Sequence, residues 1–158
     1  EAKRVDRLIL ASTLPAGRAM GACGLLRALR LGPCLARSAA EAEAGLASRI
    51  LSPQFRRANP RAVAELQRLA RQRPASPRSL VRLLLAAARH DLRGRLREIA
   101  APTLVLAGQR DRLLCLAAQR KLWTGIPGAD FELISEAGHD LCAEAPELAA
   151  ERVLRFIR

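Results

Sequence analysis

Two polar residues of this chain stand where chemistry could be done: Asp111, in PTLVLAGQRD, and His139, in FELISEAGH. Each follows an apolar run of the kind that forms a buried strand. Each falls in the loop at that strand's carboxyl end, where open parallel sheets hold their ligands. An imidazole there can move protons. A carboxylate beside it would fix its tautomer, stabilise the imidazolium and leave the other ring nitrogen to take a proton from a nucleophile, the division of labour of nucleophilic acyl transfer. A loop aspartate more commonly caps a helix or closes a turn, and that use stays open for Asp111. His90, at the end of a helical stretch, reads as a helix-end group, and Asp140 as a loop or capping residue.

The elements that must position this pair are written in the apolar pattern. Residues 5–12 form a compact apolar run that leaves through Leu14-Pro15-Ala16-Gly17, as a buried strand running into a loop. From there to about residue 98 the pattern is helical. Helices are expected near residues 25–31 and 41–51, and Asn59-Pro60 and Ser76-Pro77 each set a capping residue before a proline suited to the first helical position. Val63, Leu66, Leu69 and Ala70, then Leu80, Leu83, Leu84 and Ala87, recur at helical spacing with arginines on the opposite faces. After Pro102 the character changes: Thr103-Leu104-Val105-Leu106-Ala107 is a run fit for a strand buried on both faces. A helix from Leu116 to Trp123, a third strand over residues 131–134 and a last helix from near Pro146 follow. Strands alternating with helices at this spacing imply parallel pairing through right-handed crossovers, hence an α/β layered fold.

The stretch from Ile99 to Ile157 closely resembles the carboxyl-terminal part of the α/β-hydrolase family. The match runs in order through Pro102 to Gly108, Asp111, Ile126-Pro127-Gly128-Ala129, Ala137-Gly138-His139, Glu144-Ala145-Pro146-Glu147 and Phe156-Ile157. The resemblance implies a partial α/β-hydrolase fold: a core strand in residues 1–13, a helical cap in 14–98, and a carboxyl-terminal α/β core in 99–158 bearing the acid and histidine loops. It also implies that Asp111 is the acid and His139 the base of a Ser-His-Asp triad cleaving an ester, lactone or thioester, with no cofactor or metal. Enol-lactonases and acyl-carrier-protein esterases are similar in this order of segments.

One departure from the family is large. Its nucleophile sits in a G-x-S-x-G elbow ahead of the acid, and no such motif occurs here; Gly21-Ala22-Cys23-Gly24 is followed by Leu25 where the elbow's second glycine would stand, and it does not directly follow a buried strand. The expectation is therefore a carboxyl-terminal portion of a longer hydrolase, inactive by itself, whose sheet edge at residues 5–12 would meet a missing amino-terminal half. The alternative is a catalytically silent remnant serving as a binding or assembly module. A G-x-S-x-G shortly upstream of Glu1 in the reading frame separates the two.

The formal net charge of +12 is unevenly placed: residues 1–98 hold 20 Lys/Arg against 7 Asp/Glu, and residues 99–158 hold 7 against 8. Arg56, Arg57, Arg61, Arg68, Arg71 and Arg73 crowd one part of the expected cap. Such a surface would suit an anionic small-molecule acyl substrate or an acidic carrier protein by steering, although GC-rich coding alone also favours arginine. Few aromatics and no nucleic-acid motif argue against nucleic acid. No apolar run is long enough for a membrane span, so no membrane partner and a cytoplasmic location are expected. The four cysteines have no metal-ligand or disulfide spacing and read as buried thiols.

Overall fold

Thr103–Gly108 is a strand in which every residue is buried, as its unbroken apolar composition requires. It lies between two others in a computed structural model that describes residues 4–17, 50–72 and 76–158. We number the elements in chain order: β1 Leu8–Ala11, α1 Pro53–Ala58, α2 Pro60–Gln72, α3 Pro77–Arg89, a 3-10 turn Arg93–Glu98, β2 Thr103–Gly108, α4 Leu116–Gly125, β3 Asp130–Ile134, α5 Leu141–Glu144 and α6 Pro146–Ile157. The sheet has the order β1-β2-β3. Both pairings are parallel, with Leu8 opposite Thr103 and Leu104 opposite Asp130 opening the registers.

Strand alternation divides the apolar residues between two layers. Leu104, Leu106 and Ile134 pack with Ala137, Leu141, Ala145 and Ala149 on the side of α5 and α6, where Ile9, Val153 and Phe156 complete the cluster. Val105 turns the other way, to Leu96, Leu122 and Ile126 beneath α4, with Leu10 and Phe131 beside them. Truncating a side chain as buried as Leu104 (2% exposed) should cost about 2–5 kcal/mol. β2 is thus the spine of the domain, and its carboxyl end is a fixed point.

The helices from Pro60 and from Pro77 form as their sequence predicts, but their capping differs. Ser76 Oγ accepts from Ser79 N–H at 3.1 Å. Asn59 instead closes α1, its side-chain amide donating to the Phe55 carbonyl at 3.2 Å. α1 itself is too short to show in the apolar periodicity, although Ser52-Pro53 begins it by the same serine-proline signal. Leu69 and Leu83, placed by the pattern on apolar faces, are 49% and 66% exposed. Helical periodicity makes these helices, and it does not by itself supply a layer to cover them. The helices expected near 25–31 and 41–51 lie outside the described residues, residues 50 and 51 apart, as does the Cys23 motif.

Two ends of the helical stretch meet at a neck. Ala16 and Asp91 form an isolated antiparallel bridge. Gly17 N–H donates to the His90 carbonyl and Leu92 N–H to the Pro15 carbonyl, both at 2.8 Å. A Cβ on Gly17 would lie 2.2 Å from the Ala87 carbonyl oxygen, so this closeness needs glycine. His90 is the exposed carboxyl cap of α3, a helix-end group as its position in the sequence suggests.

Candidate functional site

The loops leaving β2 and β3 run side by side because their backbones are tied. Gln109 N–H donates to the Ile134 carbonyl at 3.0 Å and Arg110 N–H to the Ala137 carbonyl at 2.9 Å. Gly108 lies so close under the second loop that a Cβ there would stand 1.9 Å from the Gly138 carbonyl oxygen. Asp111 and His139 are thereby brought together, with His139 Nδ1 3.0 Å from Asp111 Oδ2.

The Asp111 side chain is 1% exposed. A buried carboxylate stays charged only if donors replace its lost water. Asp111 has four: Oδ1 accepts from Leu113 N–H and Leu114 N–H, both at 2.8 Å, and Oδ2 accepts from Gln119 Nε2 at 3.2 Å and from the imidazole. The two backbone bonds are the turn-closing role common to loop aspartates. Asp111 performs that role with one oxygen and faces the histidine with the other.

With Nδ1 committed to Asp111, His139 keeps Nε2 for whatever enters beside it. The His139 side chain is 23% exposed and lines a cavity of about 330 Å³ together with Ala11, Ser12, Ile50, Asp140, Leu141 and Cys142. Asp140 does not join the pair through its side chain: its Oδ1 accepts from Ala143 N–H at 3.2 Å and caps α5, as expected.

Two residues here carry no mark in the sequence pattern. Gln119 is wholly buried on α4, and its Oε1 has no hydrogen-bond partner while its Nε2 serves Asp111. Nothing in the sequence singles it out, because Gln119 stands beside Arg120 and Lys121 in a helix of mixed polarity. Ser12, just past β1, has φ +46° and a buried Oγ without a partner. No local sequence pattern announces that strain, which side chains other than glycine and asparagine rarely adopt. The cysteines need a correction: Cys115 is half-buried and Cys142 exposed, because both fall on loop-to-helix junctions and not in the core; Cys23 and Cys34 lie outside the described residues.

Away from the pair, Arg68–Glu65, Arg93–Asp91 and Arg95–Glu98 form exposed couples. Glu65 is held below the usual carboxylate range by its hydrogen bond from Arg68, and Glu98 likewise by Arg95. Among the described residues, no helix is long and apolar enough to cross a membrane.

A three-stranded parallel sheet with helices on both faces, and an acid and a histidine facing each other from adjacent strand ends, is part of the α/β-hydrolase fold. Known structures of that fold superpose on nearly the whole chain. A hydrolase from Pseudomonas aeruginosa PA01 matches with a TM-score of 0.78 at 24% identity, covering 98% of this chain and 56% of that one. The enol-lactonase from Burkholderia xenovorans LB400 matches with a TM-score of 0.76 at 21% identity, covering 99% and 57%. Among curated relatives, the pimeloyl-[acyl-carrier protein] methyl ester esterase of Stenotrophomonas maltophilia is 36% identical over 85 residues, 53% of this chain and 33% of that protein. Hydrolases, among them esterases and lactonases, recur among the matches, which also include proteins named as bromoperoxidases, and the chain spans only part of the length of each that it matches. No protein-family model matches.

Proposed function

We propose that this chain carries the acid and the base of a serine hydrolase that cleaves an ester, lactone or thioester through an acyl-enzyme. The observation that carries the reading is the Asp111 Oδ2–His139 Nδ1 contact of 3.0 Å, with the carboxylate buried and the imidazole edge at a cavity. In this reading His139 Nε2 takes the proton of a serine hydroxyl as it attacks the acyl carbon, then returns it to the leaving oxygen or sulfur. Asp111 holds the ring and offsets the imidazolium charge. The serine and the oxyanion donors come from sequence ahead of Glu1, and residues 14–98 serve as the cap.

The names of similar proteins support ester-type substrates: one is a methyl ester esterase acting on an acyl-carrier-protein conjugate, another an enol-lactonase. The basic stretch around Arg56 to Arg71 would suit an anionic acyl substrate or an acidic carrier. The test restores the upstream reading frame and assays p-nitrophenyl esters beside the 158-residue chain alone. Hydrolysis by the restored protein that depends on Asp111 and His139, with none from the chain alone, is the expected result. Turnover by the chain alone that His139→Ala abolishes would refute the placement of the nucleophile. A restored protein without a G-x-S-x-G and without turnover would refute the hydrolase reading in favour of a binding module.

A further inference from the structure

The histidine loop touches more than Asp111. On the side away from β2, His139 N–H donates to the Ile50 carbonyl at 3.0 Å, and two residues on Ser52 N–H donates to Glu144 Oε1 at 2.9 Å. The segment between is packed in, Leu51 at 2% and Ser52 at 1% exposure. Gly138 fits between the layers only because it lacks a side chain: a Cβ there would meet Glu144 Oε1 at 2.5 Å and Ser52 N at 2.9 Å. The order through the site is therefore Gly108, Gly138, then the Ser52–Glu144 bond, each in van der Waals contact with the next.

Glu144 is an odd residue for this place. Its Oε2 is buried and has no hydrogen-bond partner, so the carboxylate is held by Oε1 alone. What the Ser52 N–H asks of this side chain is an oxygen at the right reach, which an amide would also supply. Its backbone N–H bonds to the Asp140 carbonyl at 3.0 Å, which closes α5 back onto the residue after the histidine.

We propose that Glu144 is a positioning residue for His139. Its Oε1 pins Ser52, the His139 N–H pins Ile50, and the two bonds clamp residues 50–52 onto the histidine loop so that the imidazole and the Ile50 wall of the cavity move as one body. The clamp needs an acceptor at the right reach and not a charge. This inference rests on the reading of His139 as a base, and its test reads the ring itself.

The full chain has two histidines, so ¹⁵N-histidine labelling yields His139 with His90 as an internal reference. The ¹⁵N shifts of the two ring nitrogens, read through the ring's carbon-bound protons, separate an imidazole locked as the Nδ1–H tautomer from one that averages. The expected result is a locked His139 in the wild type and in Glu144→Gln, which keeps a carbonyl at the same reach. Averaging is expected in Glu144→Asp, one methylene short of Ser52, and in Glu144→Ala, with unchanged His90 signals. Should Glu144→Ala fail to fold, the Gln and Asp variants decide. Averaging in Glu144→Gln, or a locked ring in Glu144→Asp, overturns the proposal. In the restored enzyme, Glu144→Asp should lower kcat on the order of 10- to 100-fold with KM little changed, and Glu144→Gln should not. Failure of the catalytic reading is distinguishable: the ring would follow these expectations while His139→Ala left turnover unaltered.

Discussion

Gln119 and His139 share one oxygen: Nε2 of the amide and Nδ1 of the ring stand 3.2 and 3.0 Å from Asp111 Oδ2. The acid is thus oriented from α4 as well as from its own loop. The glutamine leaves its own Oε1 buried and unpaired to do so. Removing Gln119 exchanges a hydrogen bond to a carboxylate, about 1.5–3 kcal/mol, for relief of an orphan acceptor, about 1–3 kcal/mol. Gln119→Leu should therefore shift stability by less than about 1 kcal/mol, while Gln119→Glu, which sets a second carboxylate against Oδ2, should cost about 3–5 kcal/mol near neutral pH. Denaturant melts of the two variants check this. Equal stabilities would mean that Gln119 does not face Asp111.

Asp111→Asn and His139→Ala should each lower kcat of the restored enzyme about 10³-fold or more with the fold intact. The asparagine of the first variant could still cap the turn through its side-chain oxygen, so circular dichroism should be unchanged. A loss below about tenfold in either variant would remove that residue from the proposed triad.

Gly108→Ala tests the stacking of the two loops. A Cβ placed 1.9 Å from one carbonyl oxygen and 2.6 Å from the next meets backbone on both counts, so the histidine loop must shift away from β2. The expected destabilisation is about 3 kcal/mol, at the upper end of overpacking costs. Gly94→Ala, where nothing lies within 4 Å, is the control and should be neutral or slightly stabilising. Equal melts for the two would contradict the close approach.

Ser12 combines a positive φ with an unpaired buried hydroxyl. Ser12→Gly relieves both and should leave stability within about 1 kcal/mol or raise it, whereas Ser12→Val adds a β-branched side chain to the left-handed region and should cost about 2 kcal/mol or more. Thermal unfolding of the pair decides, and a Val variant as stable as the Gly variant would show that the turn adapts freely.

What the sequence made legible was the spine and its two loop residues. Uninterrupted apolar composition marked β2 as buried on both faces, and Asp111 and His139 each stood a few residues past a strand, so the parallel fold forced them together. Gln119 was not legible, because only the three-dimensional path of α4 turns that one polar face toward Asp111. The clamp at Ser52 escaped for a similar reason. Its partner Glu144 lies 92 residues away, and a backbone donor leaves no trace in side-chain pattern. The exposure of Leu83 shows the converse: spacing predicts which face is apolar, and tertiary neighbours alone decide whether it is covered.

The one-sided pairing of β1 also gives the chain an isotopic signature. Leu8 N–H and Ser12 N–H bond to the Pro102 and Leu106 carbonyls of the β2 side at 2.9 and 3.0 Å. By the alternation of a strand, the Ile9 and Ala11 amides point to the opposite edge, where no strand among the described residues lies. In deuterated solvent those two amides should exchange far sooner than their neighbours Leu8 and Leu10. An extended segment laid along that edge would slow them while leaving the rest of the sheet as it was, so two residues would record whether this sheet has found its next strand.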